Sequence, residues 1–425
     1  MNREKKYDAI IIGAGPAGAS AAAIIAEHGH KVLVLERSRF PRYHVGESLL
    51  PFTYHPLQRL GLQKKMEASA FVKKYSVQFV SVSGRASQPF YFETRYSQEI
   101  AQTYQVLRSE FDQMLLDNAR EKGAEVMEGV SVTELLQTSG RYSGVTAHPA
   151  GGDPVAFHAP MILDCSGKES FAAVKNNWRV ADIGLNKVAV WTYYKGARRD
   201  MGKDEGATTV AFVPDKGWFW YIPQHNDMVS VGVVAEGKYL ARGGVRKPEE
   251  MFKREIDNNQ WIKRYLEPGQ CTGQYWIESE YTFRSKYCAA DGLVLLGDAF
   301  GFLDPVFSSG VLLALKSGVM AGDTVHECLV NNDFSASHFT EYGNVMRLGV
   351  ENMRKLVYAF YSPGFSFRKI TDKYPELAGD ITDCLSGDVN KDFSKLFTAV
   401  SEFAPLPEEL PYGVPLNHPP QFQAA

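Results

Sequence analysis

The chain has 425 residues, of which 44% are hydrophobic and 22% charged, and its formal net charge is −3. That length buries a large core in more than one module, and the composition excludes disordered and collagen-like chains. The nearly balanced, slightly acidic charge leaves no concentrated basic face, so nucleic acid is not an expected partner.

Cys165, Cys271, Cys288, Cys328 and Cys384 are scattered, odd in number and never spaced C-x-x-C. Neither a disulfide framework nor a zinc site is expected, and a reducing cytoplasm is the expected compartment. Arg3, Lys5 and Lys6 precede an apolar stretch, but Asp8 interrupts it, so no export signal is read. No window approaches the roughly 18 uninterrupted apolar residues of a membrane helix, and no membrane partner is expected.

Taken in chain order, residues 8–12 read as a buried parallel strand, apolar after Asp8 and β-branched over 10–12. Gly13, Gly15 and Gly18 then form G-x-G-x-x-G, with Ala17 inside the turn, before a small-residue helix over 19–28. A second strand over 32–35 ends at Glu36, 18 residues beyond Gly18. Gly13 permits the tight turn, Gly15 lets backbone approach a pyrophosphate, and Gly18 lets helix and strand pack closely. The helix N-terminus offers free N–H groups to phosphate, and Glu36 stands where a carboxylate accepts from a ribose hydroxyl. A lone glycine motif is weak evidence, but strand, glycines, helix, strand and terminal acid in order predict a Rossmann-like dinucleotide site.

Residues 106–122 show helical spacing, with Leu107, Phe111, Leu115 and Ala119 on one face, and 124–128 and 161–164 read as further strands of the same sheet. From 187 to 235 the chain is rich in Val, Thr, Trp and Tyr with turn residues between, which predicts a separate, largely antiparallel sheet. A short strand over 293–296 leads into a Gly/Ser/Pro-rich loop and a helix over 309–329. Beyond 345 the chain is helical, then Pro-rich from Ala404, as a packed extension with a loose end. The expected fold class is α/β, a Rossmann-like domain with an inserted, mostly antiparallel substrate sheet and a C-terminal helical extension. Its core spans 1–345, with nucleotide-binding parts at about 1–80, 100–186 and 280–345, a sheet part at about 187–279, and an extension over 346–425.

The fingerprint alone does not separate FAD from NAD; two later segments do. Leu107 and Arg108 ahead of a helix resemble the Arg-containing segment of the hydroxylase-like flavoproteins. Gly297 and Asp298 after a strand resemble that superfamily's second FAD motif, in which the Asp holds the ribityl chain. Asp164, Cys165, Ser166 and Gly167 resemble part of its middle motif. Only one G-x-G-x-x-G is present, so no dedicated nicotinamide domain is expected, and the flavin is reduced by transient NAD(P)H or by another protein.

Trp218, Phe219, Trp220, Tyr221, Ile222 and Pro223 fit W-x-W-x-I-P. On a strand, Trp218 and Trp220 project to one side and Pro223 ends the pairing; read alone, the pair is equally a half-buried core. With its companions the segment resembles the signature of the flavin-dependent halogenases, in which the tryptophan wall lies beside the flavin. Phe40, Pro41 and Arg42, with His44, Val45, Gly46, Glu47 and Ser48, resemble that family's flavin-contacting strap. Phe302, Pro305, Ser308 and Gly310 fit its F-x-x-P-x-x-S-x-G halide loop, and Ser308, Ser309 and Gly310 opening a helix favour a bound anion. An ordinary N-capped helix gives the same pattern. Phe71 to Phe79 resembles the stretch that carries the family's catalytic lysine, with Lys74 the match and Lys73 its neighbour. Adjacent lysines are otherwise a solvated pair.

The resemblance spans roughly 7–348. A glutamate precedes the halide-loop serine of tryptophan halogenases, whereas Phe307 stands there in this chain, which resembles the phenol and pyrrole group instead. It implies an enzyme that uses FAD as FADH2, O2 and chloride or bromide to make hypohalous acid, guided by Lys74 to an electron-rich aromatic. The implied cofactor contacts are Gly13, Gly15, Ala17, Gly18, Glu36, Arg42, Gly46, Glu47, Ser48, Arg108, Asp298, Gly310 and Val311. The implied halide contacts are Pro305, Ser308, Ser309 and Gly310. A separate flavin reductase is the expected partner, and an acyl or peptidyl carrier protein bearing the substrate is a further one. The rival readings are an aromatic hydroxylase, which needs neither halide nor Lys74, a prenyl-lipid reductase, and a non-catalytic flavoprotein.

Overall fold

The computed structural model describes residues 6–215, 217–409 and 411–416. Its strands form two large sheets and two small ones. The first large sheet runs in the order Val414–Pro415, Tyr287–Ala290, Leu293–Leu295, Met161–Asp164, Ala9–Ile12, Val32–Glu36 and Glu125–Glu128. All its neighbours pair parallel except Tyr287–Ala290 with Leu293–Leu295. Ala9–Ile12 and Val32–Glu36 are buried throughout, which is why they read as unbroken apolar runs rather than alternating ones. The crossover helix Pro16–Glu27 is short-chained and almost wholly buried, and it lies against the long helix Gly310–Asn331.

The second large sheet has the order Gly301–Phe302, Trp276–Ser285, Arg179–Lys195, Met228–Glu236, Trp218–Gln224, Thr208–Phe212, Ser76–Val80 and Phe90–Tyr91. It starts earlier and ends later than residues 187–279, and it takes in Ser76–Val80 from far upstream, parallel to Thr208–Phe212. Strand alternation divides its side chains. Trp218, Trp220 and Ile222 face the main core, while Phe219 and Tyr221 face a second core built with Phe252 and Trp261.

Pro223 does not end the strand outright. Pairing with Thr208–Phe212 stops at Tyr221, whereas on the other side it continues through Pro223 opposite Val229 to Gln224. Proline lacks an N–H, so only one edge of the strand is lost.

The C-terminal region is helical, beginning with Thr340–Tyr361, which runs straight through the expected boundary at 346. Its proline-rich part returns to the first sheet. Tyr412 is buried and Val414–Pro415 adds an edge strand beside Tyr287–Ala290, so the expected loose end is tied down at least to Leu416; residues 417–425 lie outside the described residues. No helix among the described residues is long and apolar enough to cross a membrane.

Candidate active site

The glycine turn sits where the first strand meets its helix. Gly13 has φ +97°, and a Cβ there would lie 2.5 Å from the Cys165 carbonyl oxygen; one on Gly18 would lie 2.0 Å from the Gly13 carbonyl oxygen. Both positions therefore exclude any side chain. The Glu36 carboxylate accepts from the Ala14 N–H and the Ser38 N–H, each at 2.8 Å, which fixes it at the floor of the turn.

A cavity of about 600 Å³ opens from this turn, within the usual size of cofactor sites. Gly13, Gly15, Ala17 and Glu36 line it, and so do Pro305, Ser308, Gly310 and Val311. Arg42, Gly46, Glu47, Ser48, Arg108 and Asp298 also line it, with Trp218 and Trp220 as a wall. Gly18, Ser309 and Lys74 are not among the lining residues. Gly18 acts by close packing, Ser309 is buried at 3% exposure, and Lys74 stands one side chain behind the surface.

The fit to FAD rests on this chain's own features. The glycine cradle leaves room that a Cβ would fill, and Arg42 lines the cavity with a buried Nη1 that makes no hydrogen bond and lies 3.4 Å from Asp112. Arg108 opens the helix Arg108–Glu121 and is bidentate to Asp112, with Nε to Oδ1 at 2.7 Å and Nη2 to Oδ2 at 3.0 Å. Its Nη1 donates to the carbonyls of Val45 and Gly46 at 3.0 and 3.2 Å. Arg108 thus holds the strap 40–48 against the cavity rather than reaching across it.

Glu47 is buried and accepts from the Tyr193 hydroxyl at 2.6 Å; burial pushes its carboxyl up. Burial also pushes Asp298 up to about 6, with the charges of Lys168 and Arg108 working against it. A carboxyl so placed gains from a hydroxyl donor.

In the loop that lines the cavity beside these residues, Ser308 adopts a left-handed turn, φ +56°, and the helix Gly310–Asn331 starts two residues on. Ser309 occupies the N-cap position, but its side chain makes no capping bond. The first N–H groups of a 22-residue helix thereby point at the cavity without a side-chain cap, an arrangement that favours an anion.

Behind the turn lies a polar link absent from the sequence reading. The Trp218 Nε1–H donates to Tyr361 Oη at 2.8 Å, Tyr361 donates to Asp304 Oδ2 at 2.8 Å, and Asp304 Oδ1 accepts from the Val306 N–H at 3.1 Å. Trp218, Tyr361 of the C-terminal region and the loop 302–310 are joined at one carboxyl. Tyr361→Phe removes that junction. It is expected to cost about 1–2 kcal/mol of stability and to loosen halide binding, visible as a raised apparent KM for halide.

The Lys73 and Lys74 pair separates cleanly. Both lie on Val72–Lys74, paired with Thr103–Gln105; Lys73 is exposed and Lys74 only 1% exposed. Lys74 Nζ donates to Ser48 Oγ at 2.9 Å and to the Leu49 carbonyl at 3.0 Å, and lies 5.7 Å from the Phe92 ring centroid. Burial alone pulls its pKa from the usual 10.5 down to about 7. The solvated-pair reading holds for Lys73 and fails for Lys74. Burial without a carboxylate partner among the described residues favours the neutral amine, and a lysine so perturbed beside a cavity is a candidate functional group.

Comparison with known proteins converges on one group. A family model described as tryptophan halogenase matches residues 8–93 and 80–368. A 1H-pyrrole-2-carbonyl-[peptidyl-carrier protein] chlorinase from Pseudomonas fluorescens is 30% identical over 404 residues, covering 90% of this chain and 89% of that protein. The corresponding brominase from Pseudoalteromonas luteoviolacea is 30% identical over 342 residues, covering 80% and 82%. Among solved structures, the flavin-dependent brominase Bmp2 superposes with TM-score 0.84 at 27% identity, covering 94% of this chain and 98% of its own. The myxobacterial chondrochloren halogenase CndH, described as a variant of FAD-dependent halogenases, gives 0.79 at 29% identity over 94% and 96%.

Proposed function

This chain belongs to the flavin-dependent halogenases and uses FAD and halide, and on that premise we propose that it halogenates a pyrrole or phenol ring through Lys74, with a pyrrole acyl group on a peptidyl carrier protein as first candidate. The observation that carries the assignment of Lys74 is its complete burial against Ser48, a residue that lines the cofactor cavity. The carrier-bound pyrrole is supported by the two relatives just described, which act on that substrate and match over most of their length.

When bound, reduced FAD supplies the electrons with which O2 oxidises halide to hypohalous acid. The chain's residues do the rest. The turn at Ser308 and the helix start at Gly310 hold the anion at the cavity. Trp218 and Trp220 form the wall past which the small oxidant moves. Lys74 receives it, as an ammonium that donates a hydrogen bond to its oxygen or as an amine whose nitrogen takes the halogen. With its pKa held near 7, the residue reaches both forms close to neutrality.

We infer that a separate reductase supplies FADH2, since the chain carries one dinucleotide motif. The substrate reading is tested by competition. Pyrrole-2-carbonyl carrier protein, free pyrrole-2-carboxylate and a simple phenol are offered together, with product ratios read by mass spectrometry. Halogen on the carrier-bound pyrrole and not on the free acid is expected. Preference for the free phenol overturns the carrier partner and leaves the halogenase assignment standing.

A further inference from the structure

Lys74 is not isolated. Ser48 Oγ, 2.9 Å from Lys74 Nζ, lies 2.8 Å from Thr208 Oγ1, and Gln105 Nε2 donates to Thr208 Oγ1 at 2.8 Å and to the Gly206 carbonyl at 2.8 Å. All four side chains are buried. Ser48 and Thr208 line the cofactor cavity, whereas Lys74 and Gln105 do not.

The donors in this chain can be counted. Gln105 cannot turn its amide over, because its oxygen would then face the Gly206 carbonyl, so Thr208 always accepts from it. With Lys74 as an ammonium, Ser48 also accepts. One hydroxyl hydrogen bridges Ser48 and Thr208, and the other has no partner among the described residues and is left for the cavity. With Lys74 as an amine, its lone pair accepts from Ser48, Ser48 accepts from Thr208, and Thr208 accepts from Gln105. Both hydroxyl hydrogens are then consumed and none faces the cavity.

We propose that the Ser48 and Thr208 hydroxyls relay a proton between Lys74 and the cofactor cavity, with Thr208 and Gln105 as positioning residues that set its direction. Breaking one Nζ–H bond forms an O–H bond at Ser48, and a hydroxyl hydrogen of the pair passes to a water in the cavity; the reverse sequence restores the ammonium. The relay lets one buried residue take both forms that the halogenation step draws on. It rests on Lys74 as the halogenating residue.

The test follows the Nζ hydrogens directly, on FAD-loaded protein with nitrogen-15-labelled lysine. Their exchange with water is measured by NMR, and the signal is identified by its loss in Lys74→Met. Ser48→Ala is expected to slow exchange at least tenfold, Thr208→Val several-fold, and Thr208→Ser is expected to exchange as the wild type does. Wild-type exchange in Thr208→Val overturns the relay, as does equal slowing in Thr208→Ser, which marks a packing effect. Should Ser48→Ala fail to fold, the two Thr208 variants still decide. No halide or substrate is present, so failure of the relay is distinguishable from failure of Lys74 in turnover, which Lys74→Met reports separately.

Discussion

Lys74→Met is expected to abolish halogenation, by at least a factor of about a thousand, while making the protein more stable. The side chain is similar in volume and removes the amine. Burial lowers the lysine from 10.5 to about 7, and at 1.36 kcal/mol per unit its ammonium costs the fold about 5 kcal/mol at neutral pH and below. Loss of the bond to the Leu49 carbonyl returns about 1–3 kcal/mol of that. The variant is therefore expected to be about 2–4 kcal/mol more stable below pH 7.

The sign of the pH dependence follows from the lowered value. Between pH 7 and 10.5 the unfolded chain holds a proton that the folded chain has released, so wild-type stability gains about 1.4 kcal/mol per pH unit on the variant. The advantage of the variant closes as pH rises through that window. Urea unfolding at several pH values reads this out. Equal stability of the two proteins at pH 6 contradicts a buried, depressed lysine.

Asp112→Ala is the substitution with the largest expected loss of stability. Asp112 is fully buried, accepts both forks of Arg108 and lies 3.4 Å from Arg42. Its removal leaves the buried Arg108 guanidinium without its counter-charge, an error that costs about 3–5 kcal/mol. Arg108 also holds Val45 and Gly46, so cofactor retention is expected to fall along with the unfolding midpoint. FAD content after gel filtration and the urea midpoint check the two effects. Loss of stability with full FAD content removes Arg108 from any part in holding the strap.

The parts of the site legible in the sequence are those encoded locally. The strand before Gly13, the glycines, the following helix and Glu36 are contiguous, and the structure keeps that order. Alternation put Trp218 and Trp220 on one face, and both line the cavity. The less legible parts depend on distant partners. Ser76–Val80 joins a sheet whose neighbouring strand, Thr208–Phe212, lies more than a hundred residues downstream, and a five-residue strand of mixed polarity carries no address for that pairing. The same distance hid Thr208 and Gln105, ordinary polar residues outside any motif, and the Trp218, Tyr361 and Asp304 junction. Tyr361 sits in a helix that resembles nothing by spacing alone. The Pro-rich tail reads as a packed extension with a loose end, since chain ends are commonly loose, and one short edge pairing and the buried Tyr412 anchor it as far as Leu416.

The central claim is that reduced flavin and O2 are spent on halide, and that Lys74 directs the product to an aromatic ring. Its most direct test is mass spectrometry of a pyrrole and phenol panel, free and carrier-bound, with purified protein, FAD, a flavin reductase and NADH, run in chloride and in bromide. The expected result is a product that carries the isotope doublet of whichever halide is present and disappears in Lys74→Met. A product heavier by one oxygen, indifferent to halide and retained in Lys74→Met, would contradict the account and place the chain among the aromatic hydroxylases.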